Sequence, residues 1–473
     1  MSSLELLRSG PVLIAGAGVS GAGSAAMVRQ LGATDLYIAD DNADRGQAVA
    51  AANNATWLTT EQAIDFLPQI NLVVTSPGWA PHTPLLAAAT EAGISVIGDV
   101  QVAWEGDQAG RFGEPRTWVV ITGTNGKTTT TAMTTAMLLA DGQAAQSVGN
   151  IGIALQDALS APERIDVLVA ELSSFQLHWA PELRPQAGAL LNLAEDHLDW
   201  HGSMENYAVD KARALTGEIA VVGIDDAVVK KQLAQVYPQQ SAVPARLVPF
   251  TLGEPEAGEF GVRDGMLVDN CFGDNVALAP ATGISPAGPA GVLDALAAAA
   301  LARSQGASAE AIATALREFT VQPHRGQVVH EAGQVKWVDD SKATNPHAAD
   351  AALRGHDSVV WVAGGQLKGA AVDELITQHK HRMRAAIVLG ADRQLLADAF
   401  ARSAPDIPLT VLDNTDPDTV MSDVAAAAVA VAQPGDVVLL APAAASLDMF
   451  SGMAARGDRF AEAAVAATPG QKG

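Results

Sequence analysis

The sequence predicts three successive α/β domains, each built on a largely parallel sheet, and three observations predict it. The chain opens with a strand, a glycine turn and an Ala-rich helix, starting at Pro11. A second strand turns through two glycines and Lys127 into a hydroxyl-rich helix. After residue 323, short apolar runs again alternate with helical spacers. Such alternation gives parallel sheets covered by helices. At 473 residues the chain exceeds a single ordinary core. The fold class is therefore α/β with three domains: Rossmann-like at the N-terminus (1–108), P-loop ATPase-type in the centre (109–322) and Rossmann-like α/β at the C-terminus (323–473).

In the first domain, Pro11-Val-Leu-Ile-Ala-Gly16-Ala-Gly18-Val-Ser-Gly21 matches G-x-G-x-x-G, and Asp40 closes the next strand. That pattern aims backbone N–H groups at a diphosphate and an acid at a ribose. Alone it says NAD, yet the same geometry holds the diphosphate of a nucleotide sugar. Gly16, Gly18, Val19, Ser20 and Asp40 are the candidate contacts, joined by Ser76, Pro77 and Gly78 after the strand Leu72-Val-Val-Thr75. Another strand ends at Gly98, and the polar stretch Glu105 to Pro115 reads as a linker.

The second domain is organised around Val119-Val-Ile-Thr-Gly123-Thr-Asn125-Gly-Lys127-Thr-Thr129. Three β-branched residues make a buried strand, and Gly123 and Gly126 allow a tight turn. Residues Gly123, Thr124, Asn125, Gly126, Lys127, Thr128 and Thr129 would then present N–H groups and a helix N-terminus to phosphate. Lys127 would neutralise the β- and γ-phosphates of ATP, and the Thr128 hydroxyl would ligate Mg²⁺. Ile121 stands where the usual loop has its first glycine, so this is a shortened version. The plain alternative is a Gly/Thr-rich turn that binds nothing.

Three more strand ends of this domain carry polar groups: Gly149-Asn150-Ile-Gly152, Glu171-Leu-Ser173-Ser-Phe-Gln176, and Asn192-Leu-Ala-Glu-Asp-His197-Leu-Asp199. In a doubly wound sheet these ends face one crevice. A carboxylate at the end of an apolar strand, as Glu171 is, needs a cation or a helix to cap. Taken alone, His197 fits a structural role and Lys211 a solvated surface lysine. Residues 235–290, with Cys271, read as irregular, before helices near 293–304 and 309–319.

In the third domain, Asp339-Asp340-Ser-Lys342-Ala-Thr344-Asn345 gathers acids, hydroxyls, a lysine and an amide after a strand. A solvated turn also fits it, just as a helix cap fits Ser446. The end of the chain, Ala466 to Gly473, is expected to fray.

Composition narrows the function classes. Hydrophobic residues make up 48%, which excludes global disorder, and no apolar run approaches the ~20 residues of a membrane span. The first residues lack the layout of a signal peptide, and a single cysteine excludes an internal disulfide. A cytoplasmic protein without membrane insertion is expected. A net charge of −24 argues against nucleic-acid binding.

Taken in order, the glycine fingerprint, Thr-Gly-Thr-Asn-Gly-Lys-Thr, Gly-Asn-Ile-Gly, Glu-Leu-Ser-Ser-Phe-Gln, Asn-Leu-Ala-Glu-Asp-His-Leu-Asp, Pro-His-Arg and Asp-Ser-Lys-Ala-Thr-Asn resemble the Mur ligases of peptidoglycan synthesis from end to end. The resemblance implies ATP-dependent amide ligation through an acyl phosphate by a cytoplasmic monomer. Within that family the Asp340 to Asn345 segment points to the branch that joins D-glutamate to UDP-N-acetylmuramoyl-L-alanine. By motif position Thr128 and Glu171 would hold one Mg²⁺ and His197 a second. Lys211 matches a lysine that CO₂ converts to an anionic carbamate, a further metal ligand. Asn150 and Ser173 would touch the sugar–alanine end of the acceptor. Asp294, Arg325 and Asp340 would bind the nucleotide, and Lys342, Thr344, Lys368, Ser446 and Leu447 the D-glutamate.

Several positions depart from the family pattern. Ala290-Gly291 replaces a frequent His-Asn, Asp294 stands for a nucleotide-binding asparagine, and Met453 aligns with an aromatic. An ionised acid accepts but does not donate, so adenine contacts must differ. Asp40-Asp-Asn42 lacks an arginine found in some members. Competing readings are a glutamate-adding ligase of the folylpolyglutamate type, an NAD-dependent dehydrogenase and a non-catalytic nucleotide-binding regulator. The Asp-Ser-Lys-Ala-Thr-Asn segment opposes the first, and the lysine-bearing loop leaves the second incomplete.

Overall fold

The computed structural model describes residues 2–240 and 246–468, and three sheets organise them. The first has strands β1 (Val12–Ala15), β2 (Leu36–Ala39), β3 (Thr56–Leu58), β4 (Leu72–Thr75) and β5 (Ser95–Gly98) in the order β3-β2-β1-β4-β5. All its pairings are parallel. Every residue of β1 is buried, as helices on both faces of a parallel sheet require. The helix Val19–Gln30 follows directly. A Cβ at Gly21 would fall 1.8 Å from the Gly16 carbonyl oxygen, so only glycine lets this helix dock on its own turn.

The second sheet has nine strands: β6 (Thr117–Thr122), β7 (Ala145–Gly149), β8 (Val167–Glu171), β9 (Ala187–Leu190), β10 (Ile219–Gly223), β11 (Arg246–Phe250), β12 (Phe260–Arg263), β13 (Met266–Asp269) and β14 (Val276–Pro280). Their order is β14-β13-β12-β11-β10-β9-β6-β8-β7. The expectation of an irregular 235–290 is corrected here. That stretch supplies β11 to β14, and only 241–245 lie outside the described residues. Its strands are four or five residues long, contain or border Gly and Pro, and show no regular alternation of buried and exposed positions, which hides them in the sequence.

The linker expected from Glu105 to Pro115 is also corrected. A helix continues from Asp99 to Gln108, and its Asp107 is fully buried. Asp107 accepts hydrogen bonds from Arg116 N (2.9 Å), Arg116 Nη1 (2.7 Å) and Trp118 Nε1 (3.0 Å). One apolar cluster then runs across both sheets, joining Val12, Ile14 and Val74 to Trp118, Val120 and Leu168.

The third sheet has β15 (Gln327–Ala332), β16 (Val335–Asp339), β17 (Val359–Gly364), β18 (Met383–Leu389), β19 (Leu409–Val411) and β20 (Val437–Leu440), ordered β15-β16-β20-β17-β18-β19. Only β15 pairs antiparallel. The last helix runs Met453–Ala467, and of the tail expected to fray, 469–473 lie outside the described residues. Contacts divide the chain into two compact units. One holds the chain up to Ala279 with Asp294–Leu316, and the other holds Pro280–Leu293 with the chain from Arg317 on. Among the described residues no helix is long and apolar enough to cross a membrane.

Arg116→Ala should lower stability by about 3–5 kcal/mol, because it strands the Asp107 carboxylate in a dry interior. Urea unfolding would measure this, and an Asp107→Leu, Arg116→Met double variant should recover most of the loss.

Candidate functional site

Strand β6 delivers the phosphate-type loop, and the helix Lys127–Ala140 begins at the lysine itself. Gly126, its N-cap, has φ +82°, a left-handed conformation costly for residues with a side chain. A Cβ there would also lie 2.2 Å from Asp294 Oδ1. Asp294 thus rests on the loop and accepts a 3.3 Å bond from Thr130 Oγ1. Asn192, just past β9, clamps the loop from the other side. Its Oδ1 accepts from Asn125 N at 2.8 Å, and its Nδ2 donates to Asn125 O at 3.1 Å. Thr124 Oγ1 lies 3.0 Å from Tyr207 Oη. Sequence reasoning had the Asn192 strand end facing this crevice but did not place Tyr207 in the site. Asn192 was legible as a polar strand end, whereas Tyr207 had no signal.

Two lysines meet on one carbonyl. Lys127 Nζ donates to Gly123 O (2.9 Å) and Thr124 O (2.8 Å). Lys211 Nζ donates to the same Gly123 O (2.8 Å) and to Thr122 Oγ1 (3.3 Å). Lys211 is 2% exposed, so the surface-lysine alternative is set aside. Burial, reinforced by the Lys127 charge, holds its amine well below the usual lysine range against the opposing pull of Asp196 and Glu171. Its neighbour Asp210 bolts this helix (Met204–Ala212) down. The Asp210 carboxylate accepts from His178 Nδ1 and His201 Nδ1, each at 3.0 Å, and pairs with Arg213 at 3.3 Å.

Glu171 ends β8 and is 1% exposed. Its Oε2 accepts from Thr128 Oγ1 at 2.7 Å and its Oε1 from Asn150 Nδ2 at 3.0 Å. It caps no helix. Ser173 does that, in a reciprocal pair with Gln176. His197 stands at φ +53° with its ring edge-on to Phe175, 4.8 Å between centroids. Burial, with the Lys211 and His201 charges, lowers its pKa against Asp196 and Asp199. The Thr128 hydroxyl and the Glu171 carboxylate are hard oxygen donors of the kind Mg²⁺ takes. Among the described residues no group of three His, Cys, Asp or Glu could hold a metal. A cation here would therefore share its ligands with phosphate and water.

At the first sheet, Gly16 has φ +93°. Ala17 N donates to Asp40 Oδ2 at 2.7 Å. Arg45, missed in the sequence, forks onto the same carboxylate at 2.8 and 3.1 Å. Burial alone would raise the Asp40 pKa, but Arg45 and the N–H groups of Ala17 and Asn42 hold it below the usual value. No side chain caps the helix that starts at Val19, and Val19 is 92% exposed. A Cβ at Gly18 or Gly78 would meet nothing within 4 Å, whereas Ser76 Oγ lies against Gly16.

In the second unit, Lys342 and Thr344 follow β16, Lys368 follows β17 at φ +52°, and Ser446 and the 70% exposed Leu447 follow β20. Arg456, 1% exposed and also missed, ties these three loops together. It donates to Ser341 Oγ (2.9 Å), Ser341 O (2.8 Å), Gly364 O (3.2 Å) and Ala444 O (3.1 Å). Burial brings its pKa down to about 10. Burial also lifts Asp340 to about 7, with Asp339 adding and Arg325 opposing. Ser446 caps no regular helix. Its carbonyl accepts from Met449 N and Phe450 N in a turn, and the last helix starts only at Met453.

Three family matches cover most of the chain: the Mur ligase MurD-like N-terminal domain over residues 10–98, the Mur ligase middle domain over 121–243 and the Mur ligase glutamate ligase domain over 324–444. The chain belongs to the Mur ligase family. This Mur ligase is 53% identical over 472 residues to a UDP-N-acetylmuramoylalanine–D-glutamate ligase of Corynebacterium efficiens, spanning 100% of this chain and 98% of that one. It is 50% identical to the protein of the same name in Mycolicibacterium smegmatis, with 96% of each chain covered. In fold it is similar to UDP-N-acetylmuramate-alanine ligase MurC of Thermotoga maritima, at 16% identity and a TM-score of 0.55 over 96% and 98% of the two chains. A pseudomurein peptide ligase type C from Methanothermus fervidus gives a TM-score of 0.56 at 15% identity over 96% and 99%.

Gly126→Ala should lower affinity for a non-hydrolysable ATP analogue by about tenfold or more, because strain of ~1–3 kcal/mol falls on the loop itself. Isothermal titration calorimetry would read it, with thermal unfolding as the check on the fold.

Proposed function

We propose that this Mur ligase joins D-glutamate to UDP-N-acetylmuramoyl-L-alanine at the expense of ATP. The name shared by relatives about half identical over the whole chain supports the substrates. The observation that carries the chemistry is the pair of lysines on the Gly123 carbonyl beside the Thr128–Glu171 hydrogen bond. The Lys127 charge beside hard oxygen in an acidic protein suits a triphosphate and Mg²⁺.

In this reading the alanine carboxylate oxygen attacks the γ-phosphorus, the bond to the ADP oxygen breaks, and an acyl phosphate forms. The amine of D-glutamate then attacks the acyl carbon, loses a proton and expels phosphate, leaving an amide. Gly123 to Thr129 cradle the phosphates, and Lys127 leaves the loop carbonyls for the γ-phosphate as charge develops there. Thr128 and Glu171 would hold one Mg²⁺ and His197 a second, and these would supply positive charge to the transferring group. Asp294, Arg325 and Asp340 take the nucleotide. Gly16, Gly18, Val19, Ser20, Asp40, Ser76, Pro77 and Gly78 receive the UDP portion, with Asn150 and Ser173 at the sugar–alanine end. Lys342, Thr344, Lys368, Ser446 and Leu447 receive D-glutamate, whose two carboxylates need cations and hydroxyls. Burial lowers the Lys211 pKa and so favours the neutral amine that reacts with CO₂, and the carbamate would be an anionic metal ligand in place of a second cation. Domains 1–108, 109–322 and 323–473 divide the work as acceptor, ATP and amino-acid binding.

The direct test is ADP release that requires both UDP-N-acetylmuramoyl-L-alanine and D-glutamate among a panel of amino acids. Release without either, or with another amino acid preferred, would overturn the assignment.

Lys342→Ala or Thr344→Ala should raise the KM for D-glutamate far more than that for ATP; the reverse would remove the third domain from amino-acid binding. Lys211→Ala and Lys127→Ala should each lose about 10²-fold or more in kcat. Added acetate or formate should restore activity only to Lys211→Ala, by supplying the missing anionic oxygen. An active, acetate-indifferent Lys211→Ala enzyme would end the carbamate reading.

A further inference from the structure

The loop after β4 carries an indole that the proposed mechanism leaves unused. A Cβ built at Gly16 would meet Trp79 Nε1 and Ser76 Oγ, each at 2.9 Å. Two donors on the loop after β4 therefore bracket the glycine turn after β1. The Trp79 ring body packs against the apolar cluster that includes Leu13, Val73 and Trp179. Its backbone is pinned twice: Trp79 N donates to Ser76 O at 3.1 Å, and Trp79 O accepts from Trp179 Nε1 at 3.2 Å. Among the described residues Trp79 Nε1 makes no hydrogen bond. A tryptophan held this way is an amphipathic group with its apolar body buried and its N–H presented at an edge.

What it is presented to follows from its surroundings. The helix Val19–Gln30 begins beside Gly16 with no side-chain cap, so its first N–H groups and its dipole favour an anion. Gly18 and Gly78, on the two loops either side of the indole, have no neighbour within 4 Å of where a side chain would be. The Asp40 carboxylate is engaged by Ala17 N, Asn42 N and Arg45. The donors at the turn are backbone N–H groups, the Ser76 hydroxyl, which lies 3.5 Å from Gly16 O, and the indole N–H, all of them neutral.

We propose that Trp79 is a further binding residue for the nucleotide sugar, its indole N–H donating to a diphosphate oxygen held over the Gly16 turn. This rests on the acceptor-site reading above and deepens it. Trp79 does no chemistry. It fixes the diphosphate between the loops after β1 and β4, and Trp179 ties that placement to the chain segment following Glu171.

Trp79→Phe tests the claim, since it keeps a ring in the apolar cluster and removes only the donor. Calorimetry with UDP-N-acetylmuramoyl-L-alanine, and separately with UDP, should show a Kd about tenfold higher than for the parent, the scale of a lost hydrogen bond to a charged group. The KM values for ATP and D-glutamate should not move. In protein labelled with ¹⁵N at its indoles, the signal absent from Trp79→Phe should shift when UDP is added and stay in place with uridine. Equal affinity for parent and variant, or an indole signal that moves equally with uridine, would overturn the proposal. A parent protein that binds neither UDP compound would overturn the acceptor-site reading, and this inference with it.

Discussion

Two amines resting on the Gly123 carbonyl oxygen set the terms for the rest of the first unit. Two ammonium groups so close, one of them buried, repel each other strongly where water cannot screen them. Burial and the Lys127 charge bring the Lys211 pKa well below the usual lysine range, which eases the repulsion, and the buried Lys211 is the more confined of the two. Lys127 begins a helix and has a long stem that can swing from the loop. Lys211 is walled in by Tyr207, whose ring lies 4.8 Å from its Nζ. The strands around them end in groups that make sense only against this positive centre: Glu171 buried, Asn150 turned towards it, and Asn192 fixing the loop.

Each unit solves the same problem of holding several strand-end loops still. In the first, a carboxylate does it: Asp210 collects His178, His201 and Arg213, and so fixes the last turn before Lys211. In the second, a cation does it, as Arg456 donates four hydrogen bonds to three backbone carbonyls and the Ser341 hydroxyl. Both groups are buried and well hydrogen-bonded, as polar groups in an interior must be. Neither lies on a recognisable motif.

That difference explains what was legible in the sequence. Motifs whose chemistry is local could be read directly: the Gly16 to Gly21 turn, the Lys127 loop, and the strand ends at Glu171 and Asn192. They need only a few consecutive residues in order. Arg45, Tyr207, Asp210 and Arg456 act through contacts across elements, and nothing in their neighbours announces the partner. Arg45 was concealed by proximity of another kind. The expected position was next to Asp40, whereas a helical turn brings the arginine back from five residues on. The linker reading failed because Gly106 and Gly110 look like loop residues. Gly106 is inside a helix, packed so closely on Phe112 and Leu31 that a Cβ would come within 2.8 Å. The outer strands β12 to β14 failed because strands of four or five residues whose burial does not alternate carry little periodicity to read.

The apolar cluster shared by the first two sheets also governs how the chain can be divided. A fragment ending at Gln108 would keep β1 to β5 but lose Trp118, Val120 and Leu168 from the far side of its own core. Asp107 would lose Arg116 and Trp118 in the same cut, leaving a bare carboxylate on the exposed face. The glycine-turn sheet is therefore an appendage in function but not in folding. Moving the glycine-turn sheet alone into another ligase would split this shared core, so an exchange that keeps the core must carry both sheets together.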